Sequence, residues 1–501
     1  MAEIKDDSTS EPAAVSRRNF LRGTLAAVAV LGFDPKLRSW ATAAELAGGS
    51  SLAEGFPHFD GQLLTDDESL TAAADDYGHA VHRRPQAVLR PGSIADVARL
   101  IDFARRHDIQ VAARGQGHST LGQAQVAAGV VIDMSSLATI HEVNHGDALV
   151  DGGVKWSDLL ARTIPLGLAP PTLNDYIELS IGGTLSVGGV GSQAFRQGPQ
   201  VDNILQLTVV TGRGEIVSCT ASHNRQLFDA VRSGLGQFGV IVRARVRLVP
   251  APPQTRYYQL PYTDLHVFLG DLLAAIQDGR FDTVQGFASP ISTGGWSYSL
   301  EVTKGFTPGH EPNDAVLLAG LHFAPGQQAS QDISYFDYLN RLAATVAFLK
   351  QIGVWDFPHP WVDLLVPTDR AESFIGSTLD ALDPADVGQG PIIIYPYRRN
   401  RFRAPNFRAP EGGDTFFLFG LLRTAIPPTP ERSAELVAAN RALFEQARAV
   451  GGFFYPVDSV PMSRQDWRRH FGPRWPQFLA AKKAFDPEAL LAPGQGIFNA
   501  V

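Results

Sequence analysis

A mixed α+β fold with more than one part is predicted from three observations. From about residue 76 the chain alternates strand-like and helix-like segments. Three glycine-dense segments interrupt that alternation at 115–123, 181–192 and 234–239. The knot Pro250-Ala251-Pro252-Pro253 is the clearest internal boundary. A chain of 501 residues, 44% hydrophobic and 19% charged, has ample material for two or three domains. Its net charge of -8 carries no basic face, which argues against nucleic acid or an anionic membrane surface as partner. A single cysteine, Cys219, excludes an intramolecular disulfide.

The N-terminus reads as a targeting segment. Ser16-Arg17-Arg18-Asn19-Phe20-Leu21-Arg22 precedes the apolar run Leu25 to Leu31, too short to span a bilayer, and Ala41-Thr42-Ala43 offers a cleavage site. The arginine pair resembles a twin-arginine export signal. The expectation is a signal over 1–43, a linker over 44–70, and a periplasmic or extracellular protein with no stable membrane insertion. That route carries folded proteins, which often hold a cofactor before export.

Ser93 is a helix cap with Asp96 three residues on, and Ile94, Val97, Ala98 and Ile101 share a face of the helix that follows. Ile109–Ala113 reads as a strand ending at the first glycine turn, and Val130–Asp133 as another. Leu207–Val210 and Glu215–Cys219 flank Thr211-Gly212-Arg213-Gly214 as a hairpin. In 240–249, Val240, Val242, Ala244, Val246 and Leu248 face one way; Arg243, Arg245 and Arg247 face the other, a row expected to be solvated. Beyond the proline knot, Phe281–Gly286 and Trp296–Val302 look like pocket strands. The end, Phe485–Gln495, is loop-like yet apolar, so it is expected to dock.

Glycine-dense loops line up backbone N–H groups suited to a pyrophosphate. No Gly-x-x-x-x-Gly-Lys-Ser/Thr loop is present, and no Gly-x-Gly-x-x-Gly appears in its strand–helix setting. His118 in Arg114-Gly115-Gln116-Gly117-His118-Ser119 has ring nitrogens available for chemistry. Asp175, just before the second glycine segment, is a proton acceptor or a turn cap. Trp361 lines a pocket or fills the core, while His359 reads as structural. His79 and His82 stand three apart without a clustered third ligand, so no metal site is expected.

The segment Arg114 to Gln125 resembles the flavin-attachment segment of cytokinin dehydrogenases, which share the vanillyl-alcohol-oxidase (PCMH-type) FAD-binding fold. The resemblance continues through Asn174-Asp175-Tyr176, Gly182–Ser186, Ser192–Gln200, Leu235–Gly239, His359-Pro360-Trp361 and Pro493-Gly494-Gln495. It implies an FAD-binding domain in two parts, 71–252 and 451–501, around a substrate domain over 253–450 built on an antiparallel sheet flanked by helices. It further implies a single covalent bond from His118 to FAD, Cys219 being in the wrong place for a second. Gly115, Gln116, Gly117, Ser119, Gln123, Asp175, Ser180, Ser186, Val190, Val240, Tyr455, Ala492 and Gln495 would contact FAD, with Thr120 alongside. Asp175 matches the catalytic aspartate and Trp361 a pocket-lining residue. Gln285 stands where an acidic residue is expected, and Glu301 is the candidate that compensates as a substrate contact. The implied reaction oxidises the CH–NH group of an N6-substituted adenine by hydride transfer to flavin N5. The imine then hydrolyses to adenine and an aldehyde, with a quinone or oxygen taking the electrons. A same-fold oxidase of a sugar, alcohol or other secondary amine is the alternative within the fold. A non-catalytic flavin- or ligand-binding secreted protein is the alternative outside it, and Asp175 argues against that one.

Overall fold

The computed structural model describes residues 30–34, 39–42 and 57–498. The export segment expected over 1–43 lies outside the described residues apart from two short paired strands, Val30–Asp34 and Ser39–Thr42. Among the described residues no helix is long and apolar enough to cross a membrane.

The glycine turn of His118 is set on a small, largely parallel sheet. Its strands run in the order Gln62–Leu64, Ala87–Arg90, Val130–Asp133, Val111–Arg114. The last three are parallel, so the chain needs a crossover, and Ile94–Arg106 supplies it as a helix. Ser93 caps that helix by accepting the Asp96 N–H, as expected. The buried face is Val97, Leu100, Ile101, Phe103 and Ala104, with Ile94 and Ala98 only half-buried at its edge.

A five-stranded antiparallel sheet follows, in the order Ile216–Cys219, Ile204–Thr211, Gly239–Arg247, Asp147–Asp151, Ile140–Val143. The first two strands are the expected hairpin. On Gly239–Arg247 the valine face packs inward and the arginine row meets cross-strand acids: Arg243 with Asp151 and Arg245 with Asp147 and Glu142. Ile241, two residues before the first of these arginines, is buried as well, because the strand is covered on both faces at its start. Val210, Val240 and Val242 join the core of the small parallel sheet.

The third sheet is antiparallel and eight-stranded: Ala329–Ser334, Gln254–Tyr262, Trp296–Phe306, Thr283–Pro290, Ile392–Arg398, Thr415–Leu421, Val362–Pro367, Phe453–Phe454. Helices Leu265–Gln277, Thr368–Ala381 and Pro430–Ala449 pack on it. Its other face carries Asp363, Ile393, Tyr395, Tyr397 and Leu418 toward a cavity, the two-residue alternation of extended chain. The C-terminal segment returns to the first sheet: Leu491 bridges Val111 in parallel, and the Ala492 N–H donates to the Val111 carbonyl. The apolar end therefore docks, as its composition suggests.

Candidate functional site

A cavity of about 310 Å³ lies where the three sheets meet. It opens into a cleft of about 1030 Å³, and the two share Arg114, Gln116–His118, Asp175, Tyr176 and Leu342. Gly115, Gln116, Gly117, His118, Ser119 and Gln123 line the cavity from the first glycine turn. Asp175 and Ser180 line it from just before the second glycine segment, Ser186 and Val190 from within it, and Val240 from the five-stranded sheet. Tyr455, Ala492 and Gln495 close it from the C-terminal end, and Trp361 from the eight-stranded sheet. Segments separated by hundreds of residues thus converge on one space.

The turn approaches its neighbours too closely for a side chain. A Cβ on Gly115 would lie 1.9 Å from Ser180 Oγ, and Gly117 has φ +66°, where glycine is at ease. The segment Asp75–His79 clamps this turn from outside. Tyr77 N–H donates to the Gly117 carbonyl at 2.8 Å, and the Asp76 carboxyl accepts from Ser119 Oγ and the Gly122 N–H. Burial pushes Asp76 up to about 6. His79 and His82 both turn to Asp75 instead of meeting a third ligand. Among the described residues no group of three acidic, histidine or cysteine side chains is placed to hold a metal.

His118 sits in an aromatic stack. Its ring lies 4.0 Å from Tyr77, which also stacks on His359 at 4.3 Å with the planes nearly parallel. Trp361 meets His118 edge-on at 5.5 Å. His118 Nε2 is buried without a hydrogen-bond partner, and burial, with the nearby His359, pushes the imidazole down to about 3. The ring is therefore neutral at physiological pH, the state in which an imidazole nitrogen can bond to an electrophilic carbon. His359 is held by the Trp355 carbonyl at 3.2 Å and is structural. Thr120, expected beside the cofactor, instead ties the turn to Val457 and Ser459. Cys219 is buried in its strand and lines neither space, with its thiol pushed up to about 12 by burial.

Asp175 stands at the junction of cavity and cleft. Arg341 Nη2 donates to its Oδ1 at 2.5 Å and the Tyr395 hydroxyl to its Oδ2 at 2.6 Å. Burial, with Asp175 beside it, holds the Tyr395 phenol well above its ordinary range, so it remains a donor. Arg341 also donates to Gln285 Oε1 at 3.0 Å and lies over the Tyr338 ring at 4.7 Å. Gln285 Nε2 in turn donates to Glu301 Oε2 at 2.8 Å, and Gln259 donates to the other Glu301 oxygen. Glu301 lines neither cavity nor cleft. The expectation of a direct substrate contact there is corrected: on the central strand of the trio, Glu301 is spent on the glutamines of its two neighbours.

Arg341, Tyr395, Tyr77 and Asp363 were not singled out in the sequence. For Tyr395 and Asp363 a signal exists: Ile393, Tyr395 and Tyr397 alternate on one strand, and Asp363 stands two residues after Trp361 at the start of another. Arg341, between two helices, carries none.

The residues present fit a flavin nucleotide. A neutral histidine with a free buried nitrogen, a glycine turn for close approach, and an apolar wall of Trp361, Ile393 and Leu418 meet in one cavity. A family model described as FAD binding domain matches residues 85–220, and one described as cytokinin dehydrogenase 1, FAD and cytokinin binding matches 288–498. The solved structure of 6-hydroxy-D-nicotine oxidase from Arthrobacter nicotinovorans superposes with a TM-score of 0.67. It covers 87% of this chain and 98% of that one at 22% identity, a likeness of fold. An uncharacterized oxidoreductase in the fasciation locus of Rhodococcoides fascians is 44% identical over 86% of this chain and 97% of its own length. Cytokinin dehydrogenase 1 of Oryza sativa subsp. japonica is 37% identical over 88% of this chain and 92% of its own. Cytokinin dehydrogenase 2 of Arabidopsis thaliana is 34% identical over 87% and 93%. The fold is of the PCMH type that binds FAD, the cavity around His118 fits that cofactor, and the chain belongs to the cytokinin dehydrogenase family of FAD-dependent oxidoreductases.

Proposed function

We propose that this protein oxidises the CH–NH group of an N6-substituted adenine to an imine, which hydrolyses to adenine and an aldehyde, at a FAD bonded covalently to His118. The observation that carries the reading is Asp175, a carboxylate at the mouth of the cavity with both oxygens held by donors. Bound FAD supplies the two-electron acceptor that takes a hydride from the C–H bond. The neutral His118 imidazole is the tether, stacked so that its ring cannot swing away. Asp175 accepts the hydrogen bond of the substrate N–H, orients it, and takes its proton as the C=N bond forms. Trp361 gives the planar ring an apolar wall. Tyr176 and Trp355, 5.5 Å apart, flank the path from the cleft. Residues 71–252 with 451–501 hold the cofactor, and 253–450 hold the substrate.

The tests are direct. Acid-denatured protein keeps its yellow colour in the pellet; colour in the supernatant removes the tether. Isopentenyladenine added without oxygen bleaches the flavin; bleaching by sugars or alcohols alone assigns another donor. Asp175→Asn slows flavin reduction by about 10²-fold, and an unchanged rate removes Asp175 from the mechanism. We also propose export by the twin-arginine route to the periplasm or medium, with a quinone or oxygen as electron acceptor. Arg17→Lys with Arg18→Lys then retains the protein in the cytoplasm.

A further inference from the structure

Two more acids stand in the cavity wall, and no step above uses them. Asp363 lies on the strand Val362–Pro367, two residues beyond Trp361, and both line the cavity. It is paired with Gly420 on the next strand, where a Cβ would lie 2.1 Å from Asp363 Oδ1. Glycine at 420 is what gives the carboxyl its place on the cavity face. Asp458 comes from the loop after Phe453–Phe454, and its Oδ2 accepts the Asp363 backbone N–H at 2.6 Å. Asp363 Oδ1 and Asp458 Oδ1 are both buried without a hydrogen-bond partner.

The groups that face this pair are acids and phenols. The Asp175 charge reaches Asp363 from the substrate side. Tyr397 and Tyr455 feel the Asp363 charge, and their hydroxyls are committed to the Gly191 carbonyl and the Gly189 N–H. Among the described residues no lysine, arginine or histidine hydrogen-bonds or ion-pairs with either side chain. Two carboxyl groups buried together without a cation cannot both ionise. Burial, with Asp175 in view, accordingly pushes Asp363 up to about 7, and burial with Asp363 beside it pushes Asp458 well above its ordinary value.

The site therefore holds two carboxyl groups with different hydrogen-bond partners. Asp175 has a guanidinium and a phenol donating to it; Asp363 has no donor to its side-chain Oδ1. We propose that Asp363 is the acid of this site: buffered by Asp458, it keeps its proton at rest and offers a carboxylic O–H to the cavity. Its partner is an acceptor atom on a heteroaromatic ring, a carbonyl oxygen or an unprotonated ring nitrogen. The proton stays on Asp363, and no bond to carbon forms or breaks there. The inference rests on the reading of this cavity as the flavin site; the identity of the donor substrate does not enter.

Infrared spectroscopy of the holoenzyme, in water and in deuterium oxide, reads the proton directly and needs no turnover. Expected is a protonated-carboxyl C=O component, distinct from those of Asp76 and Asp458, that shifts in deuterium oxide, fades as pH rises through about 7, and is lost in Asp363→Asn. The same band in Asp363→Asn, or none in the wild type, overturns the proposal. Asp363→Leu then separates the two sources of the acceptor. If the acceptor belongs to the flavin, the substrate-free absorbance maximum shifts in Asp363→Leu and is restored in Asp363→Asn, whose amide still donates. If it belongs to the substrate, that spectrum is unchanged and KM rises about tenfold in Asp363→Leu alone. A spectrum and KM both unmoved by Asp363→Leu also overturn the proposal. Failure of isopentenyladenine to bleach the flavin leaves the infrared result intact, so the two readings fail separately.

Discussion

Lys482→Met tests what holds the C-terminal strip against the flavin cavity. Lys482, on the helix Trp475–Phe485, is 4% exposed and its Nζ reaches Asp486 Oδ2 at 2.7 Å, with Asp486 fully buried. The ammonium also donates to the Gln237 carbonyl and side chain, and Asp486 accepts the N–H groups of Leu490 and Leu491. Gln237 in turn donates to the Ala492 carbonyl. The buried pair is thus the anchor from which Ala492 and Gln495 reach the cavity. Methionine keeps the stem's volume but leaves Asp486 as an uncompensated buried charge, for which removal of one partner costs about 3–5 kcal/mol. Two backbone donors stay on Asp486, which places the cost near the lower end, about 3 kcal/mol. Adding Asp486→Asn removes the stranded charge and should return most of that loss. The assay is equilibrium urea unfolding followed by tryptophan emission, since Trp467 Nε1 donates to the Gln495 carbonyl and Trp475 stacks on Phe498. A single variant within about 0.5 kcal/mol of wild type, or a double variant no better than the single, refutes the anchoring argument.

Three further outcomes are expected. Asp363 ordinarily loses its proton near 3.8 and in the folded protein near 7, so between those values the folded state binds more protons than the unfolded one. Stability therefore falls as pH rises across that window, by at most about 4 kcal/mol, the cost being complete above pH 7. Asp363→Asn escapes it: its urea midpoint exceeds that of wild type at pH 8 and not at pH 4, and an equal difference at both would contradict the burial argument. Arg341→Met removes a charge-assisted hydrogen bond worth about 1.5–3 kcal/mol from Asp175, so kcat for flavin reduction should fall about 10- to 100-fold with the protein still folded; a stopped-flow rate within twofold of wild type would mean that Arg341 does not position the carboxylate. Gln285→Glu places a second carboxylate on Arg341 and beside Glu301, and should lower thermal stability while leaving the colour of the acid-precipitated protein unchanged; a variant as stable as wild type would show that Glu301 has another outlet.

The flavin half of the site was legible because its residues lie in short contiguous strings whose backbone shape is encoded locally. Gly115 to Gln123, Ser180 to Val190 and Ala492 to Gln495 each carry their own turn or cap, and each arrives at the cavity in one piece. The substrate half is assembled across strands. Asp175 meets Arg341 over 166 residues of sequence and Tyr395 over 220, contacts that depend on the registers of the eight-stranded sheet. No window of sequence contains them. Glu301 shows the limit from the other side: its residue type alone suggests a substrate contact, but the register Gln259–Glu301–Gln285 sets it one residue removed from the cavity wall.

That register gives the departure at Gln285 a physical meaning. Arg341 offers one guanidinium edge to two neighbours, the carboxylate of Asp175 and the amide oxygen of Gln285. An acid at 285 would compete with Asp175 for the same positive charge and would stand opposite Glu301 across the ladder, where like charges repel. Glutamine avoids both: its oxygen accepts from Arg341 while its amide donates to Glu301, so a neutral side chain relays between a cation and an anion. Asp175 is left as the one carboxylate hydrogen-bonded to Arg341 among the described residues, and Asp363, without such a cation, is left as the protonated one. Two acids of one cavity are thereby given different partners, with Gln285 as the residue that keeps a third acid off Arg341.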